Sequence, residues 1–197
     1  MSQGLQCSKA RGAGFLIVKE RYHVPFREFT RHYRLVLRRD ERHGAEHGKP
    51  TDPQIAHIAY TAGQIDIRAA DLALKKTQNN AVKMFADEMV RDHTAVNQKA
   101  LALLDKLKVK PEDNDTSKSL AGAAAKKRQE LSKLSGAAFD KAYAQNEVAY
   151  HQTVNGALET TLIPSAKNGE LKNLLETGLK LFQEHQKHAE HLVSELK

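Results

Sequence analysis

NAVKMFADEMVRDHTAVNQKALALLDKL, Asn80 to Leu107, is the stretch that decides the fold. Val82, Phe85, Met89, Val96, Ala100, Leu103 and Leu107 recur at spacings of three and four, which predicts one apolar stripe on a helix ~40 Å long. A histidine, His93, stands in that stripe. Such a face must be buried, and the flanking sequence supplies partners for it.

On the N-terminal side, Thr77 to Asn80 is polar and suits a tight turn. Before it, Ile55, Ile58, Ala62, Ile65, Ala69 and Leu72 form a second stripe that ends near Lys76. Thr51-Asp52-Pro53 opens that helix, with a polar cap candidate followed by an early proline. The short turn predicts that the two helices pair antiparallel. On the C-terminal side, Pro111 to Thr116 breaks the pattern, and Ser117 to Leu134 reads as a shorter Ala- and Lys-rich helix that crosses over or caps the others.

A third long helix is expected from about Ala137 to Leu162, with Val148, His151, Val154, Leu158 and Leu162 inward, stopped by Pro164 because proline cannot continue the ladder. After a turn at Lys167-Asn168-Gly169, a fourth carries Leu171, Leu174, Leu175, Gly178, Phe182, His185, Ala189, Leu192 and Leu196. The pattern predicts an all-α protein: a ferritin-like four-helix bundle over residues 51–197, with a short extra helix in the long connection between helices 2 and 3.

Composition agrees, since the 197 residues contain no Trp and are rich in helix formers. The net charge of +7 raises the question of a nucleic-acid or membrane partner. Residues 1–50 hold 11 Lys or Arg against 5 Asp or Glu, and the remainder holds 20 against 19. The bundle segment is therefore nearly neutral, and binding to nucleic acid or anionic lipid would rest on residues 1–50 alone. That segment reads as a poorly ordered basic extension, or as upstream sequence before the true start. Pro25 to Arg39 within it could form a basic amphipathic helix. A lone cysteine, Cys7, excludes an intrachain disulfide. The apolar run Gly14 to Val18 is too short for a signal-peptide core or a membrane span.

The chemistry-bearing residues are His93, His151 and His185, each on the apolar stripe of a different long helix. Each lies roughly 18 to 24 Å from the start of its helix, near the midpoint, so that up and down helices bring the three rings to one layer. Asp66 borders the first stripe at the same depth; Met89 precedes His93 by one turn, Asp92 adjoins it, and Glu147 precedes His151 by one turn. Imidazole with carboxylate suits zinc, iron or copper, and a thioether would favour cuprous copper. Equally, the histidines could be core polar residues hydrogen-bonded to Asp66, Asn146, Glu147 or Tyr150. The core helices contain no Glu-x-x-His pair, which argues against a catalytic di-iron centre; the one such spacing, Glu20 to His23, falls in the extension. His188 and His191 read as surface residues, and no nucleophile arrangement or phosphate loop is present.

The strings from Gly63 to Asn97, Leu134 to Val154 and Glu170 to Leu192 together resemble the bacterial family called domain of unknown function 4142. Its most telling pieces here are Met89 to Thr94, Phe139 to Tyr143 with His151, and His185 with Ala189. The resemblance implies a ferritin-like bundle, exported to the periplasm or outer membrane, with histidines at His93, His151 and His185 and no established activity. This sequence departs from the family in carrying Asp66 where Glu is usual, and a basic segment where a signal peptide is expected. The expectation is a non-catalytic envelope protein holding a transition metal through its core histidines. The alternative is a structural or stress-related bundle that binds a protein partner, its histidines serving only as hydrogen-bonding residues.

Overall fold

A computed structural model describes residues 48–196, and all regular secondary structure among them is helical. The basic segment, with its Pro25–Arg39 helix, Cys7 and the Glu20/His23 spacing, lies outside these residues apart from its last three positions. Among the described residues five long α-helices are formed: α1 (Asp52–Lys76), α2 (Asn80–Lys106), α3 (Asp115–Ser132), α4 (Gly136–Ala157) and α5 (Gly169–Glu195). The α1/α2 and α4/α5 pairs have the most extensive contacts; α2 joins α5 and α1 joins α4 to complete the core, while α3 lies across α1.

Local chemistry fixes the helix starts. Asn79 accepts from the backbone N–H groups of Ala81 and Val82, Asn114 from Ser117, and Asn168 from Leu171, each satisfying donors that a helix leaves unpaired in its first turn. Thr51 N–H donates to Gln54 Oε1, and the Asp52 carboxylate accepts from the backbone N–H groups of Lys167 and Asn168 at 2.8 and 2.9 Å. The start of α1 is thereby tied to the turn before α5.

The stripes are buried largely as their periodicity predicts. In α2 the inward face drifts by one residue past His93: Asn97 and Leu104 are buried, while Val96, Leu103 and Leu107 are half-buried. Asn155, likewise, is buried where Val154 was expected. Pro164 does not stop the third long helix. After Ala157 the chain widens into a π-helical turn, Leu158–Leu162, and continues through Ile163–Ser165. The Ile163 N–H reaches back five residues to the Leu158 carbonyl, so the wider turn accommodates a proline that a strict α-helical ladder would exclude.

The interior is layered. Phe85, Met89, Phe139, Tyr143, Ala189 and Leu192 centre one apolar cluster, and Ile55, Leu104, Leu158, Leu171, Leu175 and Phe182 another. Polar residues from α1, α2, α4 and α5, namely Asp66, His93, Glu147, His151 and His185, are buried between them. A smaller cluster of Ile65, Leu120, Ala124 and Tyr150 holds α3 over this polar layer.

Candidate metal centre

Each wall of the polar layer is set by a packing constraint. Gly63 and Asn97 let α1 and α2 approach closely, since a Cβ on Gly63 would lie 2.5 Å from Asn97 Oδ1. The Tyr150 hydroxyl donates to the Ala62 carbonyl at 2.8 Å and fixes α4 against α1. Phe182 stacks on His93, with centroids 4.5 Å apart and planes 13° from parallel. The backbone positions and ring orientations at this depth are therefore held from several sides.

The three sequence-predicted imidazoles converge. Ring centroids lie 5.7 Å apart for His93 and His151, 5.3 Å for His93 and His185, and 5.5 Å for His151 and His185. One ring nitrogen from each is within 4.8 Å of one from both others. Asp66 joins them, with Oδ2 at 2.8 Å from His93 Nε2 and 3.3 Å from His151 Nε2. Glu147 stands beside His151, and a second group of ligand atoms within 4.8 Å comprises Asp66, Glu147 and His151. Met89 is fully buried but packs in the apolar cluster with Phe85 and Tyr143, as a core side chain does. Asn146 donates to Glu147 Oε1 at 3.2 Å.

Hydrogen bonding assigns the tautomers. His151 Nδ1 lies 3.0 Å from the Glu147 backbone carbonyl, which can only accept, so Nδ1 carries the proton and Nε2 presents a lone pair when the ring is neutral. His185 Nε2 lies 3.1 Å from Asp92 Oδ2, which likewise assigns the proton to Nε2 and the lone pair to Nδ1. Both remaining nitrogens, His151 Nε2 and His185 Nδ1, are buried without a hydrogen-bond partner, as is Nδ1 of His93, whose Nε2 meets Asp66. Binding one imidazole nitrogen to a carbonyl or carboxylate is how proteins orient histidines whose other nitrogen holds a metal.

The charges are unevenly distributed. Burial would raise the Asp66 carboxyl, but His93 and His151 beside it, with hydrogen bonds from His93 and Glu147, hold it well below the usual carboxylate range. Glu147 is pushed well up, first by burial and then by the Asp66 charge. Burial and the Asp66 charge thus both favour the protonated form of Glu147 beside an ionised Asp66. Burial lowers His151 to about 4 against the attraction of Asp66, and also lowers His185.

Glu88, which the sequence did not single out, completes the picture with Asp92. Glu88 and Asp92 of α2 face His188 and His185 of α5, with His188 Nδ1 2.6 Å from Glu88 Oε2. Their spacings, four residues on α2 and three on α5, are the signal that each pair shares a helix face. His188 is thus partnered, though half exposed, while His191 is exposed beside Glu195.

The family model described as "Domain of unknown function (DUF4142)" matches residues 38–192. The chain belongs to the DUF4142 family. No curated protein matches it. Among solved structures, a candidate secreted protein, DUF305, from Streptomyces coelicolor is similar in fold, with a TM-score of 0.63 at 13% identity, covering 73% of this chain and 91% of that one. Among the described residues of this DUF4142 chain, no helix is long and apolar enough to cross a membrane.

Proposed function

We propose that this DUF4142 domain is a ferritin-like four-helix bundle that binds one transition metal ion at its centre through His93, His151 and His185, with Asp66 as the anionic ligand. One observation carries the reading. His151 gives its only N–H to a backbone carbonyl, so its lone-pair nitrogen faces the Asp66 carboxylate at 3.3 Å, acceptor against acceptor. A cation between them resolves that opposition, and the second imidazole oriented by Asp92 supports the same end.

Three imidazoles and one carboxylate suit zinc, copper(II) or iron(II). Tetrahedral zinc, with Zn–N bonds of ~2.0 to 2.1 Å, needs ligand nitrogens about 3.3 Å apart, so the rings must draw together on binding. Glu147, whose ionisation is opposed by burial and by the Asp66 charge, shapes the centre beside Asp66. The donor set has no nucleophile and no pair of Glu-x-x-His motifs, which supports storage, delivery or sensing of the ion over turnover. A place in the cell envelope is supported by the fold it shares with a candidate secreted protein.

The second reading is a structural or stress-related bundle that binds a protein partner, with the histidines fixing register. It is favoured by the 2.8 Å approach of His93 Nε2 to Asp66, which an N–H on Nε2 makes without a metal. Binding of nucleic acid or anionic lipid would have to come from residues 1–50.

Elemental analysis and competitive zinc titration of the full chain separate the readings. The metal reading expects one ion per chain, weakened by about ten- to a hundredfold or more in His151→Ala and in Asp66→Ala. Binding that survives both substitutions would leave the structural reading.

A further inference from the structure

We propose that Glu88, Asp92, His185 and His188 form a second, shallower cation site at the α2–α5 face, through which the ion reaches the central histidines. The inference rests on the metal reading above and adds the route to it.

Glu88, Asp92 and His185 offer ligand atoms within 4.8 Å of one another, graded from half-buried carboxylates to a buried imidazole. His188, half exposed, extends the set outward through its 2.6 Å contact with Glu88. Two carboxylates and two imidazoles form a mixed donor set able to capture a borderline divalent cation such as zinc or cobalt(II). The second observation is the position of His185, which is 1% exposed and belongs to both groups of ligands. Its Nε2 meets Asp92 at the boundary, while Nδ1 is buried without a partner. One ring can therefore take an ion from the carboxylates at Nε2 and give it up to the inner imidazoles at Nδ1. On capture the ring proton passes from Nε2 to Nδ1, and it returns to Nε2 as the ion moves inward onto Nδ1, so the imidazole stays neutral throughout.

Charge favours this face over the opposite approach. On the α3 side, the small pocket leading to Asp66 and Glu147 is lined by Arg128, which repels a cation, and by Lys127, whose ammonium is paired with Glu130 at 2.6 Å. On the α2–α5 side the carboxylates attract one, and Arg91, held on Asp92 at 2.7 and 3.1 Å, is the competitor that an arriving cation displaces. Arg91 itself is largely exposed and can swing away.

Stopped-flow loading of cobalt(II) into the metal-free full-length protein tests the route, with equilibrium affinity measured in parallel. The double variant Glu88→Gln/His188→Gln is expected to load at least about tenfold more slowly, as lost electrostatic capture predicts, while inner-site affinity changes by less than about twofold. Arg91→Gln is expected to load faster. Both variants alter solvent-facing side chains, and circular dichroism checks that they remain folded. Wild-type loading rates in the double variant would overturn the entry site and leave the central site standing. A slowed rate accompanied by an equal loss of affinity would make these residues supports of the inner ligands rather than a loading site. No cobalt binding by the wild-type chain would remove the central site, and this inference with it.

Discussion

The apolar cluster around Phe85, Phe139 and Tyr143 and the polar layer around Asp66, His93 and His151 are built on the same helices and are equally closed to water: Phe85, Phe139 and Tyr143 are 0% exposed, and Asp66 0%, His93 3% and His151 1%. They are held on opposite terms. The cluster gains roughly 25 cal/mol for each Å² of apolar surface it withdraws from water, whatever the pH and whichever ions are present. The polar layer must offset the desolvation of a charge and several imidazoles, and does so only while protons, or a cation, sit in the right places. Packing accounts for the first region; the second makes sense as a site.

The largest effect that would separate them is Phe139→Ala. Removing this stacked ring beside Tyr143 should cost about 3–5 kcal/mol in urea denaturation, and by the same amount at pH 5 and pH 8, with or without zinc. A cost that changed with pH or zinc would mean that the two regions are not independent.

Acid comes next. His151 is lowered by burial from 6.5 to about 4, so the unfolded chain takes up its proton first as pH falls. The stability that a neutral His151 contributes is complete above about pH 6.5 and is lost as pH drops through 4. At about 1.4 kcal/mol per pH unit, that window amounts to about 3 kcal/mol. Glu147 acts in the opposite sense over part of the range, so the informative quantity is the difference between wild type and His151→Phe, both stripped with EDTA. The variant should lose less stability between pH 6.5 and 4; parallel curves would show that His151 is not the depressed group.

Glu147→Gln should have a smaller effect of opposite sign. Because burial and Asp66 raise its pKa above the unfolded 4.5, Glu147 stabilises the fold below that pH and loses this contribution as pH rises. The amide keeps a donor for Asp66 and cannot ionise. Metal-free Glu147→Gln should therefore gain on wild type between pH 6 and 8 and converge with it near pH 4. A variant less stable throughout would mean that Glu147 is held as a carboxylate.

How much of this was legible follows from the same division. Stripes such as Ile55–Ile58–Ala62–Ile65 could be read because a helix buries every third or fourth residue, and three histidines in such stripes stood out against their apolar neighbours. Asn97 and Asn155 were not legible, because the inward face drifts slowly around a long helix and favours the next position over Val96 and Val154. Pro164 misled for a similar reason, since a π turn is a tertiary solution to a local conflict. Glu88, and the pairing of Asp92 with His185 rather than His93, were hidden because carboxylates on a polar face look like solvated charge until another helix brings His185 and His188 against them.

Asn168→Ala makes the smallest change and serves as the control. Its side chain accepts from Leu171 N–H at 3.0 Å and starts α5 at the far end of the helix from His188, in contact with neither interior region's defining residues. Losing this cap should cost about 1 kcal/mol. The cost should be the same at pH 5 and pH 8, and zinc affinity should be unchanged, because the register of α5 is set by Leu171, Leu175 and Phe182 packing in the second apolar cluster. If zinc binding weakened along with the cap, His185 would be positioned by the end of its helix rather than by the packing beneath it, and the polar layer would be coupled to the whole length of α5.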